Sequence, residues 1–488
     1  MYKAISTDIL AQYRRPNEKA LDQLLQAEIE KSGAKIVVLD DDPTGTQTVH
    51  DVFVYTDWKA EHLRDGFLRP QRVMYILTNS RGVSSAETES IHREIAAQLV
   101  QVSDETRTPF LLVSRSDSTL RGHYPLETET LRQTLSVHGI DFNGEILCFF
   151  FKEGGRYTID NVHYVQNGEE LIPVGLTEFS RDKTFGYSAS NLCNYVEEKT
   201  HGMTRAADVI TIDLKSLRVP DIDRIEQQLL AAEGFSKIIV NAIDYSDLKV
   251  FCIALYRAIA KGKCFLYRTA ASFIKTLGGM RERPLLSGEE LMENSNRNGG
   301  LVIVGSHVDK TSRQLNYLRN STPAMRFLEF DQHNIWKPNG LLKESERILK
   351  LVEQAIAEGT SVTVYTRRER VDLPIDDPEA QLKISTDISA ALTDIVKKMR
   401  IKPSFLIAKG GITSYDIGVN GLGVRCAKVI GQIAPGIPVW RTGRESKFCG
   451  LLYIIFPGNV GEDYSLGEIV NCLLGQYHAE KGDRNGQM

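Results

Sequence analysis

Short apolar runs alternate with stretches of helical periodicity along most of the chain. From Lys35 onward KIVVLD (35–40), VMYILT (73–78), FLLVS (110–114), EILCFFF (145–151), VITIDL (209–214) and KIIVNAI (237–243) read as strands. Between them lie helical segments such as SSAETESIHREIAAQLVQV, in which Ser84 and Glu87 have capping-box spacing. Nearly continuous apolar strands separated by helices predict a parallel sheet buried on both faces. One segment differs: the halves of GGRYTIDNVHYV flank Asp160-Asn161 and predict a hairpin. A second strand–helix series follows the polar stretch 282–300, with LVIVGS (301–306), MRFLEF (325–330), SVTVYT (361–366), SFLIAKG (404–410), PVW (438–440) and LLYIIF (451–456).

The expected class is therefore α/β, with two α/β domains whose mainly parallel sheets are covered by helices. The domains span residues 34–290 and 291–488, and a cleft between them is the expected place for a small ligand. Residues 1–33 form a helical extension in which Leu21, Leu24, Leu25 and Ile29 recur at helical spacing and Gly33 is the stop. That helix is expected to pack on the body or on a partner subunit, which leaves a homo-oligomer open. With 488 residues, 42% hydrophobic and 25% charged, the chain can bury a core without staples. The net charge of -4, with no Lys/Arg-rich run, gives no electrostatic reason for a nucleic acid or membrane partner. No apolar run approaches the roughly 20 residues of a membrane span. The N-terminus lacks a signal-type apolar region, and the seven scattered cysteines contain no CxxC pair. The expected compartment is the cytoplasm.

Ligands of open α/β sheets bind beyond the carboxyl ends of strands. After the first strand stand Asp40, Asp41 and Asp42, followed by Pro43-Thr44-Gly45. Three carboxylates at the end of a buried strand repel one another, so one of them could accept a hydroxyl proton or bind a cation; the same residues also make an ordinary turn. Arg81, after the second strand, offers a planar fork to a carboxylate, or is a solvated loop residue. The run Ser114 to His123 packs hydroxyls, Asp117 and two guanidinium groups together; this suits a polyhydroxylated anion, and a helix N-cap is the alternative. In the second domain Gly305-Ser306-His307, Lys409–Ser414 and Pro457–Asp463 follow strands, with Gly421-Leu422-Gly423 nearby. Glycines let backbone N–H groups approach phosphate oxygens, and three such loops at one sheet edge point to a nucleotide more firmly than one. No P-loop, HExxH, GxGxxG or GxSxG motif is present, and the ten histidines lack ligand spacing, so no structural zinc is expected.

Taken in order, DDPTG (41–45), TNSRG (78–82), SDSTLRGH (116–123), the GGRYTIDNVHYV hairpin, TEFSRDKTFGYSASNL (177–192), RTAASF (268–273), GSHVDKTSRQL (305–315), KGGITS (409–414), APGIPVWRTG (434–443) and FPGNVGED (456–463) resemble the four-carbon acid sugar kinase family. The resemblance covers nearly the whole chain from about Lys35. It implies ATP-dependent phosphorylation of the terminal hydroxyl of threonate, erythronate or 3-oxo-tetronate, with the first domain holding the acid and the second ATP. By position it makes Asp42, Arg81, Asp117, Ser118, Thr119 and Leu120 acid contacts, with Arg121 a further charge donor. It makes Ser306, Gly410, Gly411, Ile412, Thr413 and Gly458 nucleotide contacts. On this reading Asp42 is the first choice for accepting the hydroxyl proton and Asp117 the second, while Asp41 or Asp463 helps hold Mg2+. The chain departs from the family at several points. The usual Lys-Ser-Gly-Asn-Phe-Gly loop reads Phe456 to Gly461, Pro43 replaces a Phe, Arg115-Ser116 stand near a usual lysine, and Ile412 replaces a more polar residue. Two other readings stay open: a sensor that kept the fold without turnover, and a kinase for another hydroxy acid. A dehydrogenase is disfavoured by the missing dinucleotide fingerprint.

Overall fold

The computed structural model describes residues 2–291, 296–371, 378–458 and 460–475; Asn459 of the FPGNVGED motif lies outside them. The chain divides into two compact units, Met1–Glu282 and Arg283–Met488.

In the first unit the main sheet has the order Ile210–Ile212, Ser236–Val240, Gly144–Cys148, Phe265–Thr269, Phe110–Arg115, Lys35–Asp40, Val73–Leu77, Val52–Tyr55. Every neighbouring pair among these strands is parallel. The continuous apolar runs explain this: Ile36 to Leu39, Leu112-Val113 and Ile146-Leu147 are at most 2% exposed, so both faces are covered. Helix Ser85–Thr106 begins with the expected capping box of Ser84 and Glu87. Because the strands run one way, their carboxyl ends share an edge, with Asp40 opposite both Leu77 and Arg115, and Arg115 opposite Thr269.

The strands Val52–Tyr55 and Phe265–Thr269 were not expected from the pattern. The first is only four residues long, and the second carries Arg268, whose charge breaks the apolar signature. VITIDL overreaches, because the strand stops at Ile212 and Asp213 caps a short helix, Leu214–Arg218. EILCFFF likewise ends as strand at Cys148.

The GGRYTIDNVHYV hairpin forms as Arg156–Ile159 against Val162–Asn167. Its two turn residues, Asp160 (φ 48°) and Asn161 (φ 65°), take the left-handed backbone that Asn and Asp tolerate. Glu170–Pro173 and Ile5–Ser6 extend it to four antiparallel strands. The N-terminal helix Glu18–Ser32 buries Leu21, Leu25 and Ile29, whereas Leu24 is exposed. It packs on helix Tyr245–Ala260, with Lys249 2.7 Å from Asp22 and Arg257 3.3 Å from Glu28.

The second unit has the order Cys426–Ala434, Ile437–Thr442, Leu452–Phe456, Phe405–Lys409, Leu301–Val304, Val362–Thr366, Arg326–Phe330. The last five strands are mutually parallel, and the first two are antiparallel to each other and Ile437–Thr442 to Leu452–Phe456. Cys426–Ala434 was missed because its burial alternates along a one-sided strand interrupted by Gly431. Val304, Lys409 and Phe456 lie in register, so the loops after all three strands leave one edge. Among the described residues no helix is long and apolar enough to cross a membrane.

Candidate functional site

The strand-end edge of the first unit gathers the predicted acidic and basic residues into one ion-pair network. Arg81 lies at its centre, with Nε 3.0 Å from Asp41, Nη2 2.6 Å from Asp42 and Nη1 3.9 Å from Asp117. It is placed by a short 3-10 turn, Ser80–Gly82, after strand Val73–Leu77. Arg115, the last residue of its own strand, donates to Asp40 at 3.1 Å. Ser116 donates to Asp41 at 2.5 Å, and the Thr44 hydroxyl and amide both donate to Asp42. Asp117 accepts from Thr119 and, at 2.7 Å, from Arg121 Nε. Behind this cluster Arg268 pairs with Glu127, which also accepts from Ser80 at 2.6 Å.

These contacts set the charges. Burial raises Asp41, and it pushes Asp40 up to about 7 against the pull of Arg115. Burial also acts on Asp42 and Asp117, but there the arginines outweigh it. Arg81 and the Thr44 hydrogen bonds hold Asp42 below its ordinary value, and Arg81 and Arg121 hold Asp117 well below the carboxylate range. Of the three successive aspartates, Asp42 is the most accessible, with 24% of its side chain exposed against 2% for Asp41. Gly45 is required by close approach, since a Cβ there would sit 1.9 Å from an Asp40 oxygen.

Ser118, Thr119 and Leu120 follow directly in a buried loop. Leu120 has φ 68° and its carbonyl accepts from Tyr195 Oη at 2.9 Å; the Thr119 carbonyl accepts from Tyr187 Oη at 2.6 Å. His163, from the hairpin, lies 2.8 Å from the Ser118 carbonyl and 2.9 Å from Thr158 Oγ1; burial pushes this imidazole down to about 4. The hairpin also supplies a residue that pattern reading did not single out. Arg156 donates to the Gly154 carbonyl, and its guanidinium and that of Arg121 lie 5.8 and 5.0 Å from the Phe179 ring. Among the described residues it has no carboxylate within ion-pair distance, and its buried Nε has no hydrogen-bond partner. Its signal in the sequence was a cation opening a strand-like segment.

The second unit brings its glycine loops together. A Cβ on Gly305 would lie 2.3 Å from Thr413 Oγ1, one on Gly410 3.3 Å from Ser306 Cβ, and one on Gly458 3.1 Å from Ser306 Oγ. Thr311 joins the loops by donating to Ser306 Oγ at 3.2 Å and to the Gly458 carbonyl at 3.1 Å. Lys409, wholly buried, donates to the Pro457 and Gly458 carbonyls at 2.6 and 3.2 Å. Its Nζ lies 3.9 Å above the Phe456 ring, and burial, with Lys310, brings it down to about 7.

Gly411 has open space around it and Ile412 is exposed. Beside Gly305 and Thr413 opens a cavity of about 220 Å³ lined by Ile384, Ser385, Ile388 and Leu392 of one helix and by Gln332. None of these helix and loop residues was anticipated, because an apolar helix stripe reads as core. The cradle fits a nucleotide: glycines where a Cβ would crowd the loop hydroxyls, beside a mixed apolar and polar cavity.

Mg2+ fits less well. Asp41 is engaged by Arg81 and Ser116, and both Asp463 oxygens accept from Arg313 Nε at 2.9 Å. Among the described residues no group of three or more His, Cys, Asp or Glu side chains is placed to hold a metal ion.

The sequence model of a sugar-binding N-terminal domain matches residues 36–277, and that of a nucleotide-binding C-terminal domain matches 301–466. The chain belongs to the four-carbon acid sugar kinase family, also known as DUF1537. Solved relatives share this family's fold at low identity. A Haemophilus influenzae DUF1537 protein is 16% identical with TM-score 0.59, over 89% of this chain and 99% of its own. A Salmonella typhimurium LT2 protein, provisionally described as a tRNA synthase, is 14% identical with TM-score 0.65, over 91% and 100%. No curated protein matches the chain. The two domain assignments make this a sugar- and nucleotide-binding protein of DUF1537 architecture.

Proposed function

We propose that the chain is an ATP-dependent kinase acting on the terminal hydroxyl of a four-carbon sugar acid: threonate, erythronate or 3-oxo-tetronate. The observation that carries this reading is the network in which Arg81 ties Asp41, Asp42 and Asp117 together at the strand ends of the sugar-binding unit. ATP supplies the phosphoryl group, and the nucleotide-binding unit meets its phosphates with Ser306, Thr413 and the backbone of Gly410, Gly411, Ile412 and Gly458.

Asp42, the accessible aspartate, orients the attacking hydroxyl and takes its proton as the bond to phosphorus forms. A carboxylate held this far ionised is a weak base. Phosphoryl transfer through a loose transition state asks little of a base before the bond is nearly complete, so orientation is the larger part of its role. Asp117 is kept ionised by Arg81 and Arg121 and, with Ser118 and Thr119, accepts from or donates to the remaining hydroxyls. Arg81 is already engaged by three carboxylates, so the carboxylate of the acid falls to Arg156, with Arg121 adding charge.

The test is ADP release from Mg·ATP with D- and L-threonate, D- and L-erythronate and 3-oxo-tetronate, with mass analysis of the product. Turnover with one acid, falling about 100-fold or more in Asp42→Asn, is the expected result. Folded chain that binds ATP yet turns over none of these acids would leave the sensor, or a kinase for another hydroxy acid, as the reading to pursue. Near-normal turnover in Asp42→Asn would remove that residue from the chemistry.

A further inference from the structure

At the strand-end edge of the nucleotide-binding unit stands a cation that the glycine cradle does not account for. Arg368 lies two residues beyond strand Val362–Thr366, which runs parallel to and in register with Leu301–Val304, the strand that delivers Gly305 and Ser306. Its Nε donates to Ser312 Oγ at 3.0 Å. Ser312 adjoins Thr311, the residue that bonds both Ser306 and the Gly458 carbonyl, so the guanidinium is tethered to the loop junction. Its two terminal nitrogens, Nη1 and Nη2, are both buried and have no hydrogen-bond partner among the described residues. Among the described residues no carboxylate lies within ion-pair distance of it, and the acidic neighbour Glu369 is taken by Arg367 at 3.7 Å. Burial alone weakens its hold on its proton, with no nearby charge opposing the effect.

A guanidinium carries five donors and stays charged. Leaving two of its terminal nitrogens dry and unpaired is costly unless something supplies negative charge and acceptor oxygens. A phosphate oxygen pair supplies both, in the fork geometry that arginine matches and lysine does not.

We propose that Arg368 is a phosphate ligand of the nucleotide site, pairing through Nη1 and Nη2 with nucleotide phosphate oxygens and setting the preference for di- and triphosphates over the nucleoside. The proposal rests on the reading that the Ser306, Gly410 and Gly458 loops hold those phosphates. It assigns to a strand-following arginine the charge that the glycine loops lack.

The test is calorimetric binding of ATP, ADP and adenosine to the full chain and to Arg368→Gln and Arg368→Lys. In Arg368→Gln, affinity for ATP and ADP is expected to fall about 10- to 100-fold, the range for a lost charge-assisted hydrogen-bonded contact, with adenosine within twofold of the native chain. Arg368→Lys keeps the charge but loses the fork, and is expected to lie between. If Arg368→Gln does not fold, the ratio of ATP to adenosine affinity in Arg368→Lys decides. An unchanged ratio, or an equal loss for adenosine and ATP, overturns the proposal. No nucleotide binding by the native chain would overturn the placement of the phosphates and the proposal together. Nucleotide binding without acid-dependent ADP release would instead count against the kinase reading and leave Arg368 to be judged on the affinities.

Discussion

The strand-end edges of the two units handle charge in opposite ways. In the sugar-binding unit every carboxylate of the cluster already has its cation: Arg81 faces Asp41, Asp42 and Asp117, Arg115 faces Asp40, and Arg268 faces Glu127. In the nucleotide-binding unit Lys409 is satisfied by carbonyls and an aromatic face, and Arg368 by a single hydroxyl. The first edge is a neutralised, rigid lattice suited to a ligand whose contribution is mostly hydroxyl groups. The second is short of negative charge and is completed by an anion. On the proposed kinase reading, the acceptor site is therefore stable when empty, while the nucleotide site gains most from being filled.

The sharpest way to break this contrast is to remove one arginine from each edge. Arg81→Gln strips the shared cation from three carboxylates, of which Asp41 is deeply buried, and is expected to cost about 3–5 kcal/mol of stability as well as activity. Arg368→Gln removes a cation with no counter-charge among the described residues and is expected to change stability by less than about 1 kcal/mol. Urea denaturation of the two variants beside the native chain measures both. Equal losses would mean that the edges do not differ in the way described.

A smaller effect separates the charge that remains free in the sugar-binding unit from the charge already used. Arg156→Gln is expected to raise KM for the acid about 10- to 100-fold with kcat little changed. Threitol, which keeps the hydroxyls and lacks the carboxylate, is expected to be affected by no more than twofold. Parallel losses on both acceptors would show Arg156 to be holding the hairpin and Phe179 in place without meeting the acid's carboxylate.

Much of this was legible in the chain before any coordinates. Apolar runs marked most of the parallel strands, because strands covered on both faces can hold little else, and Phe265–Thr269 escaped because it carries Arg268. The strand-end rule then pointed to Asp42, Arg81 and Asp117, and the structure brings these three within one network. What could not be read is how charges partner. The sequence places Arg81 and Arg156 on equal terms, and only the fold reveals that one is taken by three carboxylates and the other by none. The same applies to Arg268, whose charge hid a buried strand until Glu127 was seen beside it. Lys409 is a third case. The position at which the resemblance leads one to expect a lysine is Phe456, yet Lys409 stands opposite it in register with its Nζ over that ring. Neighbours across a sheet are far apart in sequence, so a cation supplied from the adjacent strand looks like a cation missing.

The smallest effect concerns the support behind the Ser118–Leu120 loop. His163 spans the Ser118 carbonyl and Thr158, and burial holds the imidazole at about 4. An unfolded histidine titrates near 6.5, so between roughly pH 6.5 and 4 the unfolded chain binds a proton that the folded chain refuses. Its contribution to stability is therefore complete above pH 6.5 and is lost as pH falls through that window, by up to about 3 kcal/mol. Asp40, raised to about 7 by burial, works in the opposite sense over nearly the same range, taking up its proton in the folded state first and losing stability as pH rises. The native pH profile mixes the two, so the informative quantity is the difference between native and His163→Gln unfolding free energies at each pH. That difference removes Asp40 from the comparison, and it is expected to shrink steadily from pH 7 to pH 4 as the native chain gives up the advantage of a neutral imidazole. A difference that stays constant with pH would mean that His163 is not buried as a neutral group, and that the Ser118 carbonyl is held by something other than its ring.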